Sequence, residues 1–372
     1  MTSSNKIFAS VVGLAILLIL GVWVVRNQTK QGSDEIKLGS ILILSGDGAS
    51  WGEAERNGID MAVEEINSQG GINGKKLTVI HEDDNSKPEK ALSAFQKLTD
   101  ADNVHFIIGT TWSHVGLPLV KMAEQKRVIM ISPSLGVKEF NEDNPYLFNT
   151  WPHDFLLSQE LAKYVYQKGY RKVAVFGAKQ VWVEDQTEAF RTTFENLGGK
   201  IELRFEPQTT DTDVRGDVLK LKNDPSVDAI IMLTDGENLT PLNARRIKEL
   251  GIKQPVYSIT LDRKIISDCQ GACDGFVFLT FLTPSKDFEA KYKQKYNREV
   301  EIGGDSAYDA VMMLAKAIRS TNSTDPDIIK NYLANIKTYT GASGTLVSDG
   351  KRAFTKPYVI KKIVNGEPVD AQ

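Results

Sequence analysis

Apolar and polar positions along this chain fall into two periods that take turns. From about residue 36, short runs of nearly continuous apolar character read as strands: "KLGSILIL", "KLTVIHED", "VHFIIG", "RVIMISP", "KVAVFG", "AIIML" and "PVYSI". Between them lie stretches whose apolar residues recur every three or four positions, at 57–67, 90–100, 158–168, 187–197 and 242–250. Buried strands joined by amphipathic helices predict an α/β protein with parallel sheets covered on both faces and right-handed crossovers. In the first helix Ile59, Ala62, Val63 and Ile66 form an apolar stripe, and Glu55, Arg56, Glu64 and Glu65 are expected mostly off it. "SQGGING" ends that helix, because Gly70 and Gly71 accept a left-handed backbone at little cost. The alternation runs once before and once after "FNTWPHD" (148–154), and two lobes suit the length better than one very wide sheet. Toward the C-terminus "GDSAYDAVMMLAKAIRS" reads as a further amphipathic helix, with Tyr308 and Asp309 in structural positions. Two β segments around "SDGK" close the chain.

The N-terminus breaks this pattern. Residues 7–25, "IFASVVGLAILLILGVWVV", carry no charge and lie between Lys6 and Arg26. As a helix this run rises about 28 Å, close to the thickness of a bilayer's hydrocarbon core. It ends in "RNQTK" without an A-x-A cleavage pattern, so it is expected to be an uncleaved signal-anchor. Net charge is −3 with acids and bases mixed, which leaves no basic stripe for nucleic acid and no acidic tract for disorder. The only cysteines, Cys269 and Cys273 in "SDCQGACDG", can close a small surface loop as a disulfide or remain free. None of the four histidines lies near them in sequence, which disfavours zinc.

"GDGASWG" sets Gly46, Gly48 and Gly52 between a strand and a helix, where a dinucleotide fingerprint belongs. The third glycine comes one residue late, and the acids ending the next strand (Glu82, Asp83, Asp84) come too far downstream for a ribose contact. No cofactor is expected. Asp83 and Asp84 are expected to cap or shape the loop that follows them. There is no G-x-S-x-G, H-E-x-x-H or Walker A pattern, and nothing else points to catalysis.

The order of several motifs resembles the type I periplasmic binding proteins, specifically the leucine/isoleucine/valine-binding family of ABC-transporter receptors. The resemblance rests on "LSGDGASWGEAERNGIDMAVEEINSQGGINGKKLTVIHEDDNSKPEKA", "FIIGTTWSHVGLPLVKMAEQKRVIMISPS", "YLFNTWPHDFLLSQELAKYV", "SAYDAVMMLAKAI" and "GASGTLVSDGKRAF", and it spans the chain from about Ile36 onward. It implies two doubly wound parallel-sheet lobes joined by a three-crossing hinge, after an N-terminal transmembrane helix and linker at 1–35. Lobe 1 would take 36–151 and 283–346, and lobe 2 would take 152–282 and 347–372. The hinge would lie near Asn149 to Trp151.

Carried over residue by residue, the resemblance puts Trp51 over the ligand and the Ser113 hydroxyl with nearby amides on an acidic group. It puts backbone groups of Ser134 and Leu135 against a ligand's charged ends, and Trp182 on the wall supplied by lobe 2. Gly136 stands where amino-acid binders have a threonine, so one hydroxyl contact is missing. Asp262 is the nearest candidate to pair with an ammonium group, with Asp235 and Glu237 of "TDGEN" on a neighbouring turn. The expected function is extracytoplasmic capture of an amino acid or amide-like solute, offered to an ABC permease, with the membrane reached through the N-terminal helix. A ligand-sensing ectodomain and an enzyme on the same scaffold are the alternatives.

Overall fold

Strand β1 (Glu35–Leu42) lies at the centre of the N-terminal part of the chain, flanked by β2 (Lys76–Asp83) and β3 (Phe106–Gly109). With β4 (Ile129–Ser132) and β5 (Leu147–Asn149) these make a five-stranded, wholly parallel sheet in the order β2-β1-β3-β4-β5. The computed structural model describes residues 35–371 apart from 235, 282 and 283. One face of the sheet is covered by the Ala49–Ser68 and Gly304–Thr321 helices, through Ile59, Ile66, Val311 and Leu314. On the other, Phe95, Leu98, Val115 and Leu119 pack over Ile41 and Ile107.

The second sheet repeats the plan. Strands β6 (Lys172–Phe176), β7 (Lys200–Phe205), β8 (Ala229–Met232), β9 (Val256–Ile259) and β10 (Val277–Phe281) run parallel in the order β7-β6-β8-β9-β10. A small antiparallel sheet of β11 (Thr338–Gly341), β12 (Gly344–Ser348) and β13 (Phe354–Thr355) comes next in the chain. Strand β14 (Tyr358–Val364) then extends the edge of the second sheet antiparallel to β10, and β15 (Glu367–Asp370) pairs antiparallel with β14. The small sheet stays with the first large one: Ala353 bridges to Asn149, and the Asp309 carboxylate accepts the N–H groups of Ala342 and Ser343, each at 2.8 Å. Cys269 and Cys273 form a disulfide, and both are buried in a core of the second sheet, not on a surface loop.

The two large sheets share one consequence. In an open parallel sheet the turns after the strands, near the point where strand order reverses, are where a ligand is received. The sequence between β1 and Trp51, and that between β9 and Asp262, are two such turns. Among the described residues no helix is long and apolar enough to cross a membrane, and the apolar run at 7–25 lies outside the described residues.

The Ala49–Ser68 and Gly304–Thr321 helices approach closely at Gly58, where an added Cβ would lie 2.0 Å from the Gly304 carbonyl oxygen. Gly58→Ala is therefore expected to force the helices apart and cost about 1–3 kcal/mol of stability. Urea denaturation measures this, and an unchanged midpoint would contradict the close approach.

Candidate functional site

A cavity of about 860 Å³ opens between the carboxyl ends of the two parallel sheets and takes residues from both. On the first-sheet side it begins at the glycine turn after β1. Gly46 and Gly48 have φ of 81° and 88°, and a Cβ on Gly48 would meet the Trp112 ring at 2.7 Å. Gly52 brings the first turn of its helix onto β1, where a Cβ would lie 1.9 Å from the Ile43 carbonyl oxygen. The glycines of this turn thus have a packing role: they seat Trp112 and the helix against the strand end. Trp51 and Trp112 meet edge to face, with centroids 6.3 Å apart and planes at 82°.

From there the chain reaches across the cavity. The Trp51 indole N–H donates to Asp262 Oδ2, a bond between the first-sheet side and the second. The other oxygen of Asp262 accepts the Ile265 N–H at 2.7 Å and so caps the Arg263–Asp268 helix. Burial raises the Asp262 pKa, while the Ile265 amide and the Trp51 indole oppose the rise. Trp182 is set by its own cap: Gln180 accepts the N–H groups of Trp182 and Val183, at 2.7 and 3.2 Å, at the start of the Val181–Asn196 helix.

The turn after β4 makes the floor. Ser132 Oγ accepts the Leu135 N–H at 3.0 Å and donates to the Thr110 carbonyl at 2.8 Å. Beneath Ser134 lies Glu55, fully buried, with the Ser134 hydroxyl on one carboxyl oxygen and the Thr111 hydroxyl on the other. Burial pushes the Glu55 pKa up to about 8, against the two hydroxyl bonds that lower it. At neutral pH Glu55 therefore carries its proton and donates to Ser134 Oγ. That frees the Ser134 hydroxyl to donate to the Thr111 carbonyl at 2.7 Å. The ring of bonds closes with every group satisfied.

Asp154 sits beside Gly136. A Cβ on Gly136 would lie 1.8 Å from Asp154 Oδ2, so the carboxyl group fills the space that a side chain at 136 would need. Asp154 precedes the Phe155–Gln167 helix, yet its side chain makes no capping bond. Its oxygens instead accept the indole N–H of Trp151 at 2.9 Å and of Trp182 at 2.8 Å. Burial pushes its pKa up to about 7, opposed by the two indole bonds.

Of the residues singled out from the sequence, Trp51, Ser113, Ser134, Gly136, Trp182 and Asp262 line the cavity. Leu135 does not: its side chain is fully buried, its N–H is held by Ser132, and its carbonyl accepts Asn149 Nδ2 at 2.9 Å. Asp235 lies outside the described residues. Ser113 opens a four-residue helix whose internal bonds begin at Val115 and Gly116, which leaves the preceding amides without intrahelical partners. Glu55, placed off the apolar stripe by the sequence reading, is at 0% exposure and faces the floor. Trp112, Asp154 and Glu55 are the site residues that pattern reasoning missed. For Trp112 and Asp154 the available signal was position, just after a strand and just before a helix.

The chain matches the family described as "Periplasmic binding protein" over residues 35–367. It is 25% identical over 331 residues to the leucine-, isoleucine-, valine-, threonine-, and alanine-binding protein of Pseudomonas aeruginosa, covering 86% of this chain and 87% of that protein. With the Leu/Ile/Val-binding protein BraC3 of Rhizobium johnstonii it shares 29% identity over 171 residues, 45% of this chain and 46% of that one. The chain thus spans about half the length of the first curated relatives that it matches. The branched-chain amino acid transporter substrate binding protein LivJ of Streptococcus pneumoniae, solved with isoleucine, superposes with a TM-score of 0.82 at 25% identity, covering 90% of this chain and 97% of that one. These relatives are named as binding proteins, not as enzymes.

Glu55 gives the site a pH signature. Its carboxyl is raised to about 8 in the folded protein against 4.5 for the free group, so between those values the folded state holds the extra proton. Stability from this group is complete below about pH 4.5 and falls as pH rises through about 8. Glu55→Gln keeps a donor for Ser134 and an acceptor for Thr111 without titrating. Its urea midpoint should change less between pH 5 and 8 than that of the wild type, and parallel slopes would contradict the buried, protonated assignment.

Proposed function

Since this chain belongs to the type I periplasmic binding proteins of the leucine/isoleucine/valine-binding family, we propose that it is the extracytoplasmic solute-binding component of an ABC transporter. The observation that carries this reading is the cavity between the strand ends of two parallel sheets, spanned by the bond from Trp51 to Asp262. Its volume of about 860 Å³ falls in the range of small-molecule sites, roughly 300–1,000 Å³. An amino acid or amide-like solute enters while the lobes are apart. Contacts from both sides then favour closure, to the extent that the ligand binds the closed form better.

In this reading Trp51, Trp112 and Trp182 form aromatic walls, and Ser113 with its neighbouring amides receives an acidic group. Lobe 1 comprises 36–151 with 283–355, and lobe 2 comprises 152–282 with 356–372. The third crossing is assigned to 356 instead of 346, because Val347 pairs with Thr355 and Ala353 with Asn149. Lys356 anchors that crossing: its ammonium group lies 3.3 Å from the buried Asp305 carboxylate and 5.1 Å from the centre of the Trp151 ring. The hinge is the three crossings together, with Asn149 to Trp151 as the first. Residues 7–25 tether the soluble part to the membrane, and the permease is the partner. The buried Cys269–Cys273 disulfide supports an oxidising, extracytoplasmic setting.

A thermal-shift screen of the full chain against amino acids, amides, short carboxylates and polyamines tests the reading. A ligand at a hundred times its dissociation constant should stabilise the fold by about 2.7 kcal/mol. Small-angle scattering should show a smaller radius of gyration with the same ligand. Trp51→Ala and Ser113→Ala should each remove much of the stabilisation. A protein indifferent in melting and in scattering to every solute offered would rule the proposal out.

A further inference from the structure

We propose that the cleft is closed by a two-part clasp, Trp51 on Asp262 and Glu301 on Arg263, and that Glu301 makes closure respond to pH, with acid drawing the lobes together. This rests on the two-lobe, solute-binding reading above and adds to it a regulation that acts without a ligand.

The second part of the clasp arises in the loop between the Lys286–Tyr296 and Gly304–Thr321 helices. One end of that loop is fixed to lobe 1. There the Arg298 guanidinium donates to both oxygens of Glu53, at 2.7 and 2.9 Å, on the helix that carries Trp51. A few residues on, the loop reaches lobe 2. Glu301 Oε1 lies 3.6 Å from Arg263 Nη1, and Ile302 packs against the cluster that holds Leu157 and Phe281. Arg263 directly follows Asp262, which accepts the Trp51 indole N–H. Two neighbouring residues of lobe 2 thus meet two separate segments of lobe 1.

Closure brings Glu301 up to Asp262 and Arg263 together, so it gains a like and an unlike charge while losing water. Burial pushes its pKa up to about 7, the Asp262 charge adds to the rise, and Arg263 opposes it. The other charged groups around it are held in pairs: Glu299 with Lys293, Arg298 with Glu53, and Lys264 with Asp268. Burial raises the pKa of the nearby Tyr292 phenol, which stays neutral. With the lobes apart, the cover from lobe 2 and the Asp262 charge are gone, and the Glu301 carboxyl returns toward its ordinary value of 4.5. Between about 4.5 and 7 the closed form therefore holds a proton that the open form lacks. Closure is favoured as pH falls through that window and is lost as pH rises above it.

The test uses the full-length protein without solute. Spin labels at Glu89→Cys and Thr212→Cys occupy exposed positions close in sequence to Lys87 and Thr210, which line the cavity from the two lobes. Double electron–electron resonance then reads short and long distances as closed and open populations. In the labelled wild type the ratio of short to long should rise at least about tenfold from pH 8 to pH 5.5. Glu301→Gln keeps the size of the side chain and an acceptor for Arg263 but carries no charge. At pH 8 it should already show the wild type's ratio at pH 5.5, and its own ratio should change less than about threefold. Trp51→Phe removes the indole donor, so it should lower the ratio at both pH values and leave the pH response in place. A wild-type ratio that does not rise with acid, or a Glu301→Gln ratio that responds as the wild type does, overturns the inference. So does a Trp51→Phe ratio equal to that of the wild type. The wild-type comparison decides the pH link even if a variant fails to fold. None of these outcomes touches solute capture, which the ligand screen above decides separately.

Discussion

A carboxyl group taken out of water must find a cation, a proton or several hydrogen-bond donors, and the cleft is organised by how three such groups solve that problem. Glu55, Asp154 and Asp262 are at 0%, 3% and 4% exposure, and each is served mainly by neutral donors. Glu55 keeps its proton, donating it in a hydrogen bond to the Ser134 hydroxyl and accepting from the Thr111 hydroxyl, Asp154 has two indoles, and Asp262 has one indole and one amide. The donors come from segments far apart in sequence. Each carboxyl group therefore ties together turns that the strands alone would leave separate. Glu55 joins the turns after β3 and β4, Asp154 joins Trp151 to Trp182, and Asp262 joins the two sides of the cavity.

Glycines complement these acids. Gly136 gives way to the Asp154 carboxyl group, and Gly303, with φ of 90°, gives way to Glu55, whose Cγ would lie 2.7 Å from an added Cβ. In both places a residue without a side chain makes room for a side chain that needs its surroundings fixed. The same economy holds at Gly48 beside the Trp112 ring. Substituting any of these glycines would move a polar or aromatic group of the site without touching the site residue itself.

Much of the fold follows from hydrophobic periodicity. The run "KLTVIHED" coincides with β2, and the predicted helices at 158–168 and 187–197 fall within a few residues of those observed. Three of the parallel strands escape that reasoning. β5 has only three residues, β7 alternates charged and apolar residues at a sheet edge, and β10 follows directly on the disulfide loop. Trp51, Ser113 and Trp182, which line the cavity, were reached through the family resemblance, and Trp112, which lines it too, was not. The site was not legible where burial depends on what packs opposite. Glu55 lies off the apolar stripe of its helix, but that helix is covered on a second face by the turns after β3 and β4. Likewise the absence of a side chain at 136 could be seen, but not that residue 154 fills the gap, because only the folded chain brings them together.

The indole bonds also bear on how closure responds to a ligand. A hydrogen bond contributes about 0.5–1.5 kcal/mol net, so the bond from Trp51 to Asp262 favours the bridged arrangement. A ligand shifts the balance only by the difference in its affinity for the two arrangements. It gains most where the protein's own donors leave a carboxyl group short. Asp262 accepts one indole and one helix amide, and Asp154 accepts two indoles, so each carboxyl group meets one neutral donor on each oxygen. The contact that bridges the cavity and the pair of indoles therefore sit on different acids.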